Sequence, residues 1–268
     1  MTRIGFLGPG QLGGPMVGRL HAAGHQLVVH ARRPEVRADL ALLGVRAVAR
    51  PEELTGEAEL VLACVFSDAQ LEQVALPVLA ALRPGAVFAS HVTGSHRTLL
   101  RLAELGRARG VHVLDAPVSG TAADIAAGRL TVLLGGDDPD ALALAEQVLG
   151  AYADPVVRTG AAGSALTVKL VNNVLFAAQA QLVAAAAALG EQLGVPSAGL
   201  LASLQHCSAQ SRVAAHAAAA PSMGDFGSAV APYLAKDVAA CRSLLRDLGV
   251  SAELLMDVVE RGPLPLDA

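Results

Sequence analysis

The sequence predicts an α/β fold in which a doubly wound parallel sheet, residues 1–159, is followed by an all-α domain, residues 160–268. In the first region short apolar runs alternate with helical patterns, as they do in βαβ units with helices on both faces of a sheet. In the second region no run with strand character follows Gly163, and alanine and leucine dominate. Hydrophobic residues make up 53% of the chain and aromatic residues 3%, so we expect cores built from Ala, Leu and Val.

The strand and helix patterns of the first region follow one another in order. Apolar runs with the length of buried strands cover residues 4–7, 27–30, 60–65, 86–89, 111–114, 130–134 and 155–158. Helical patterns separate most of them, over residues 16–23, 71–82, 98–109 and 139–149. Because neighbouring parallel strands need a crossover of a dozen or more residues, this alternation indicates a parallel sheet.

The second region begins with a run, residues 164–193, that contains no proline and one glycine, Gly190. It predicts one helix of about 45 Å at 1.5 Å per residue, and shorter helices follow. The most apolar stretch, residues 182–189, is shorter than the ~20 residues of a membrane span. Together with the absence of a secretory pattern at the start of the given sequence, this predicts a cytoplasmic protein without a membrane partner.

Charge and cysteine usage exclude several function classes. The 20 basic and 24 acidic residues give a net charge of −4, which offers no electrostatic basis for binding nucleic acid. The three cysteines, Cys64, Cys207 and Cys241, are far apart in the sequence and predict free thiols in a reducing compartment. His21 and His25 lie one helical turn apart with no third ligand nearby, so we predict no metal site.

A glycine-rich turn follows the first apolar run and precedes a helical pattern. Its pattern is Gly-x-Gly-x-x-Gly, in which the glycines allow a tight turn, close approach of a pyrophosphate and close helix–strand packing. The pyrophosphate then meets the free N–H groups at the helix N-terminus. The predicted Rossmann-type dinucleotide site therefore consists of Gly8, Pro9, Gly10, Gln11, Leu12 and Gly13.

The end of the second predicted strand distinguishes between the two nicotinamide cofactors. NAD enzymes place an acidic residue about 20 residues after the glycine loop, but here the chain reads Ala31-Arg32-Arg33. Planar guanidinium groups suit the 2′-phosphate of NADP. We therefore predict NADP, with NAD as the alternative if the two arginines are only solvated loop residues.

Four motifs, in this order, resemble those of the β-hydroxyacid dehydrogenase family, which includes 3-hydroxyisobutyrate dehydrogenase. The first is the glycine loop with the following Gly14-Pro15-Met16. The others are residues 115–120 (DAPVSG) with Gly128 and Gly135-Gly136, residues 160–163 leading to residues 169–173 (KLVNN), and Lys236-Asp237. The resemblance covers nearly the whole chain and implies an NAD(P)-dependent oxidoreductase acting on a small hydroxy acid or carbonyl compound.

The third motif places Lys169, Asn172 and Asn173 at positions i, i+3 and i+4, on one helix face. A lysine near the start of an apolar helix is costly to bury unless it is used, and a partly buried ammonium is a plausible proton donor. From the residues alone, a snorkelling lysine beside two surface amides is the alternative. The resemblance implies that Lys169 is the general acid–base and that Asn173, beside Asn172, orients the substrate.

The second motif places Ser119 and Gly120 after a predicted strand, at the edge of the sheet where ligands bind. The resemblance implies that this segment holds the substrate carboxylate, with a plain β-turn as the alternative. Thr121 stands where relatives have a second glycine, which narrows the loop at this predicted contact.

The resemblance also implies contacts to the cofactor from Val65, Phe66, Thr93 and Lys236. Residues 90–96 depart from the Asp-x-Ser-Thr-x-x-Pro pattern of relatives, and only Thr93 and Ser95 match it. His91 and His96 have no family counterpart, so contact with substrate and ordinary loop positions both stay open. Lys236-Asp237 has a solvated pair as its alternative.

We expect an active site in the cleft between the two domains, and a homodimer because the helical domain is so apolar. An imine reductase of the same fold is the rival enzyme, although such enzymes carry Asp or Tyr where Lys169 stands. A non-catalytic NADP-binding relative is the rival from another class. Thr121 and the altered residues 90–96 predict a substrate other than 3-hydroxyisobutyrate.

Overall fold

The computed structural model describes residues 1–266, and its contacts divide the chain into two compact units, residues 1–169 and 170–268. The domain boundary that the sequence predicts after residue 159 stays a prediction. The first unit contains one nine-stranded sheet. Its strands are β1 (Arg3–Leu7), β2 (Gln26–His30), β3 (Arg46–Val48), β4 (Leu60–Ala63), β5 (Val87–Ser90), β6 (His112–Asp115), β7 (Val118–Ser119), β8 (Leu130–Gly135) and β9 (Ala153–Gly160).

The strand order is β3-β2-β1-β4-β5-β6-β8-β7, and β9 pairs with β8. Strands β1 to β6 are parallel. Strands β2 and β3 lie on one side of β1, and β4, β5 and β6 lie on the other, so the strand order reverses between β1 and β4. This order is the Rossmann order 3-2-1-4-5-6, in which ligands bind where the order reverses. The predicted fold class is confirmed, although β8 runs antiparallel to β6 and β7.

Every residue of β4 and β5, and every residue of β1 after Arg3, is buried, as expected of a sheet with helices on both faces. The helices are α1 (Gly13–Ala22), α2 (Pro34–Leu42), α3 (Asp68–Ala81), α4 (His96–Arg107), α5 (Ala122–Ala126) and α6 (Pro139–Leu149), with a 3-10 turn at Pro51–Leu54. Phe6, Leu62 and Phe88, from β1, β4 and β5, are fully buried. Side chains of Ser67, Ser95 and Asp138 cap the first turns of α3, α4 and α6.

Besides the 3-10 turn, four elements of the first unit were not predicted because each is short or polar. Strands β3 and β7 have three and two residues, and helix α5 has five. Helix α2 has one buried residue, Leu40, and therefore almost no apolar stripe.

Five more helices lie between residues 164 and 261. They are α7 (Ser164–Gln192), α8 (Ser197–Leu204), α9 (Arg212–Ala219), α10 (Met223–Leu248) and α11 (Glu253–Arg261). Among the described residues no strand follows Gly160, as predicted. Gln181 of α7 holds the C-terminal segment: its amide donates to the carbonyls of Val259 and Leu264 at 2.8 Å.

Helix α7 is long and apolar enough to cross a membrane by length and composition, and half of its most apolar window is buried. A helix that packs one side against a protein core has this pattern of burial. The expectation of no membrane partner stays a prediction.

Candidate active site

The glycine loop between β1 and α1 has the shape that a dinucleotide requires. A Cβ on Gly8 (φ +89°) would lie 2.3 Å from the carbonyl oxygen of Cys64, and one on Gly13 would lie 2.1 Å from that of Gly8. These two glycines are therefore needed for packing. Gly10 is exposed and has nothing within 4 Å of its Cβ position, so a ligand can approach the main chain there.

The N-terminus of α1 is suited to an anion. Leu12 at the N-cap makes no side-chain capping bond, and the described first turn contains no acidic residue. The N–H groups of a first helical turn have no partner within the helix, and the helix dipole favours negative charge there. The loop therefore fits a pyrophosphate; within it Pro9 is half-buried and Gln11 is exposed.

The segment after β4 packs against this loop. Val65 packs against Gly8, whose Cβ would lie 2.9 Å from Val65 Cγ1. Phe66 is 58% exposed, and its amide donates to Gln70 Oε1 at 3.0 Å. Burial raises the pKa of the Cys64 thiol to about 12, so this cysteine has no thiolate character near neutrality.

Arg32 and Arg33, which the sequence analysis singled out, follow β2, and a third arginine, Arg37, lies in α2. Arg32 and Arg33 are exposed, and Arg33 lies 3.8 Å from Glu35. Arg37 Nη1 donates to the carbonyl oxygens of Ala31 and Arg32, both at 2.8 Å. Arg37 therefore braces the loop that presents the other two, a role that sequence reasoning missed although Arg37 lies one helical turn beyond Arg33.

His91, after β5, has a structural role. Its Nδ1 lies 2.5 Å from the carbonyl oxygen of Ala116, and its Nε2 lies 2.8 Å from the hydroxyl of Tyr152. Burial lowers the pKa of His91 to about 4, so the ring is neutral at pH 7. Since a carbonyl only accepts, Nδ1–H donates to Ala116 and Nε2 accepts from Tyr152. Of the two alternatives for His91, the structure favours the loop position.

Thr93 is half-buried in a short segment that is fixed on both sides. On its N-terminal side, His91 is hydrogen-bonded to Ala116 and Tyr152. After it, the Ser95 amide donates to both carboxylate oxygens of Asp68, at 3.0 and 2.9 Å. The ring of His96 packs against Gly163, just before α7, where a Cβ would lie 2.5 Å from Nε2.

The predicted carboxylate-binding segment lies at the edge formed by β7 and β8, where Ser119 pairs with Thr131. Ser119 is half-buried and Gly120, with φ +139°, is exposed. The Thr121 hydroxyl accepts from the Asp124 amide at 3.3 Å, and Asp124 Oδ2 accepts from the Thr121 amide at 2.8 Å, which is the capping box that starts α5. Thr121 thus serves as a helix cap, and its predicted substrate contact stays a prediction.

Asp115, at the end of β6, connects the sheet to the start of α7. Its Oδ1 accepts from the Gly163 amide and its Oδ2 from the Leu166 amide, both at 2.8 Å. Burial raises the pKa of this carboxyl group, and the two amides oppose that effect. Sequence reasoning quoted Asp115 in a motif but gave it no role.

Lys169, in the second turn of α7, is half-buried. In the second unit, Asn172 is exposed and its Nδ2 donates to Asn173 Oδ1 at 2.9 Å. Asn173 is buried, and its Nδ2 donates to Asp237 Oδ2 at 2.5 Å. Lys236 Nζ lies 3.5 Å from Asp237 Oδ1. Asn173 therefore ties α7 to the Lys236-Asp237 motif of α10, a link between residues 64 positions apart.

Comparison with known protein families gives two matches. Residues 3–161 match the family model described as the NAD-binding domain of 6-phosphogluconate dehydrogenase. Residues 163–261 match the one described as the NAD-binding region of NADP-dependent 3-hydroxyisobutyrate dehydrogenase.

Individual relatives give the same result. The "Probable 3-hydroxyisobutyrate dehydrogenase" of Mycobacterium tuberculosis is 34% identical over 200 residues, which are 75% of this chain and 68% of that protein. The L-threonate dehydrogenase of Cupriavidus necator is 34% identical over 275 residues, with 99% of this chain and 86% of that protein covered. A solved structure of Mycobacterium tuberculosis 3-hydroxyisobutyrate dehydrogenase with L-serine superposes with a TM-score of 0.86 at 28% identity, covering 97% of this chain and 92% of the other.

Proposed function

We propose, since this chain belongs to the β-hydroxyacid dehydrogenase family, that it interconverts a small hydroxy acid and its carbonyl compound with Lys169 as general acid–base. It is an NAD(P)-dependent oxidoreductase acting on CH–OH groups. The observation that carries the role of Lys169 is the contact of Asp115 with α7. That contact fastens the helix of Lys169 to the strand end that leads to Ser119, in the same unit as the glycine loop.

The chain's own groups provide the cofactor site. The main chain of residues 8–13 would hold the pyrophosphate, and Arg32 and Arg33 would bind the 2′-phosphate of NADP, with their loop braced by Arg37. When it is bound, the nicotinamide supplies or accepts the hydride. NADP is the cofactor that these cations favour, and NAD is the alternative.

Lys169 handles the proton. During reduction its ammonium group donates a proton to the substrate oxygen that becomes the hydroxyl, and during oxidation the neutral amine removes it. The Ser119 hydroxyl and the Gly120 amide hold the carboxylate, because both donate hydrogen bonds. Asn172 and Asn173 orient the reacting carbon, and the bond from Asn173 to Asp237 limits their motion.

The rival readings lack this support. The resemblance associates imine reductases with Asp or Tyr at the position of Lys169, and non-catalytic relatives with its loss. Lys169 is present, and the hydrogen bonds of Asp115 order the helix turn before it. The presence of Lys169 therefore favours a hydroxy-acid substrate over an imine.

A substrate screen tests the function. Small 3-hydroxy acids with NADP⁺, and aldehydes, keto acids and imines with NADPH, would be followed at the nicotinamide absorbance. Each acid would be paired with an analogue that lacks the carboxylate. We expect turnover of at least one acid and loss of most of kcat/KM for its analogue. Turnover of imines alone, or equal turnover of acid and analogue, would contradict the proposal.

We also propose a homodimer formed through α7. Val168, Leu175, Leu182 and Leu189 lie at seven-residue intervals and are 44–57% exposed, which is the spacing of a helix–helix seam. Leu182→Asp should convert dimer to monomer in sedimentation velocity. Leu254→Asp, at a leucine outside the stripe, is the control and should leave the dimer intact. A wild-type monomer would refute this assembly.

We place the protein in the cytoplasm, where its three free cysteines stay reduced.

A further inference from the structure

Asp115 is a buried carboxylate that the proposed hydride and proton transfers do not use. It is 2% exposed, and burying a charged group is costly unless hydrogen bonds compensate for the lost water. Both of its oxygens have main-chain partners, the amides of Gly163 and Leu166. These amides belong to the start of α7, where N–H groups lack partners within the helix.

This cap differs from an ordinary helix cap because it comes from a distant strand. Ser67 and Ser95 cap the helices that follow them directly, whereas Asp115 lies 48 residues before Gly163 in the chain. A local cap fixes only where a helix begins. A cap from β6 also fixes where that beginning lies relative to the sheet, and the negative charge is favoured at the helix N-terminus.

The surroundings of Asp115 are closely packed. A Cβ on Gly135 of β8 would lie 2.6 Å from Asp115 Oδ1 and 2.9 Å from Ser164 Oγ. Gly163 has φ +92°, and a Cβ there would strike the ring of His96. The hydroxyls of Thr159 and Ser164 lie 2.7 Å apart. The junction is therefore held by two glycines and by three polar side chains.

Asp115 lies between two parts of the proposed site. Through the chain it is followed, four residues on, by Ser119. Through its hydrogen bond it holds Leu166, which is three residues, about 4.5 Å of helix rise, before Lys169. We infer that Asp115 is a positioning residue that sets the distance between the Lys169 ammonium group and the Ser119-Gly120 segment. This inference rests on the proposed function.

The test is a double-mutant cycle between Asp115→Asn and Lys169→Met. Asparagine keeps one acceptor and the side-chain shape but turns the other acceptor into a donor facing an N–H group. A misplacement of about 1 Å can cost up to about 10²-fold in rate, so we expect kcat to fall about 10- to 100-fold while the Kd for NADPH stays within about twofold. In the Lys169→Met background, the same change should cost less than about twofold, because no positioned proton donor remains.

The control is Asp138→Asn, since Asp138 caps α6 of the same unit by accepting from Ala141 at 2.8 Å. It should leave kcat within about twofold in both backgrounds. An equal loss from Asp115→Asn in both backgrounds would show a general structural role and overturn the inference. Near-normal turnover of Lys169→Met alone would instead refute the proposed function. If Asp115→Asn does not fold, Gly135→Ala, which crowds Oδ1, replaces it in the same cycle with the same expected result.

Discussion

The glycine loop at residues 8–13 and the start of α7 both belong to the first unit, and they are built by different means. The loop is made of main chain: its shape depends on glycines at positions where a Cβ would strike a carbonyl oxygen. The start of α7 is ordered by side chains from elsewhere in the sequence, above all Asp115. A site made of main chain recognises a cofactor by shape, whereas a site made of side chains places a proton donor.

The largest expected effect tests the side-chain half of this comparison. Lys169→Met keeps the apolar stem but carries no proton, so kcat should fall by about 10²–10⁴-fold. The Kd for NADPH, measured by nicotinamide fluorescence, should stay within a few-fold because the glycine loop is unchanged. Lys169→Arg should not restore kcat, since a guanidinium group stays protonated. A parallel loss of NADPH binding would mean that the two regions are not separable.

The comparison also predicts a pH effect from His91, which joins the end of β5 to Ala116 near the substrate segment. Burial lowers its pKa from 6.5 to about 4. Between pH 6.5 and pH 4, this histidine is protonated in the unfolded chain but neutral in the folded protein, so the free energy of unfolding decreases as the pH falls. Between pH 7 and pH 5 the loss is about 2 kcal/mol from this group.

His91→Asn supplies the measurement. Asparagine still donates to the Ala116 carbonyl but does not titrate, so urea unfolding should show about 2 kcal/mol less pH dependence than in the wild type. His30, whose pKa burial also lowers, contributes equally to both proteins and cancels. An identical pH dependence in the two proteins would show that folding does not lower the pKa of His91.

The glycine loop could be predicted from the sequence, whereas the hydrogen bonds that hold α7 could not, and the reason is physical. The glycine loop needs residues at fixed short spacing, so Gly8, Gly10 and Gly13 predict it directly. The bonds that hold α7 join Asp115 to Gly163 and Asn173 to Asp237, 48 and 64 residues apart. No local pattern encodes such distances, so neither hydrogen bond was predicted.

The fold shows the same division. Apolar runs predicted seven strands at nearly their observed positions. In β1, β4 and β5 burial on both faces leaves a continuous apolar signal, whereas β9 is mostly exposed. Strand β3 was missed because its three residues include the exposed Arg46, and β7 because two residues give no pattern. The antiparallel direction of β8 depends on pairing with β6 and β7, which composition does not encode.

The cofactor half of the comparison is tested by replacing Arg32 and Arg33 with alanine. A hydrogen bond to a charged group contributes about 1.5–3 kcal/mol, so NADPH binding should weaken about tenfold or more. NADH binding should change little, and kcat at saturating NADPH should stay near that of the wild type. Equal losses for both cofactors would remove the assignment of these arginines to the 2′-phosphate.

The smallest expected effect concerns Thr121, which lies in the substrate segment but acts, in this structure, as the cap of α5. Thr121→Ala removes the hydroxyl from the capping box and should lower the free energy of unfolding by about 1 kcal/mol. Ser67→Ala is the matched control, because Ser67 caps α3 by accepting from Gln70 at 3.3 Å, and it should cost about as much.

The kinetic constants then separate a cap from a substrate contact at Thr121. If the hydroxyl serves only α5, both variants should keep KM for the carboxylate substrate within about twofold, because Ser119 and Gly120 remain. A rise in KM of about tenfold or more for Thr121→Ala alone is the loss expected from a bond to a charged group. Thr121 would then hold the carboxylate as well, and the substrate segment would depend on a side chain where relatives have glycine.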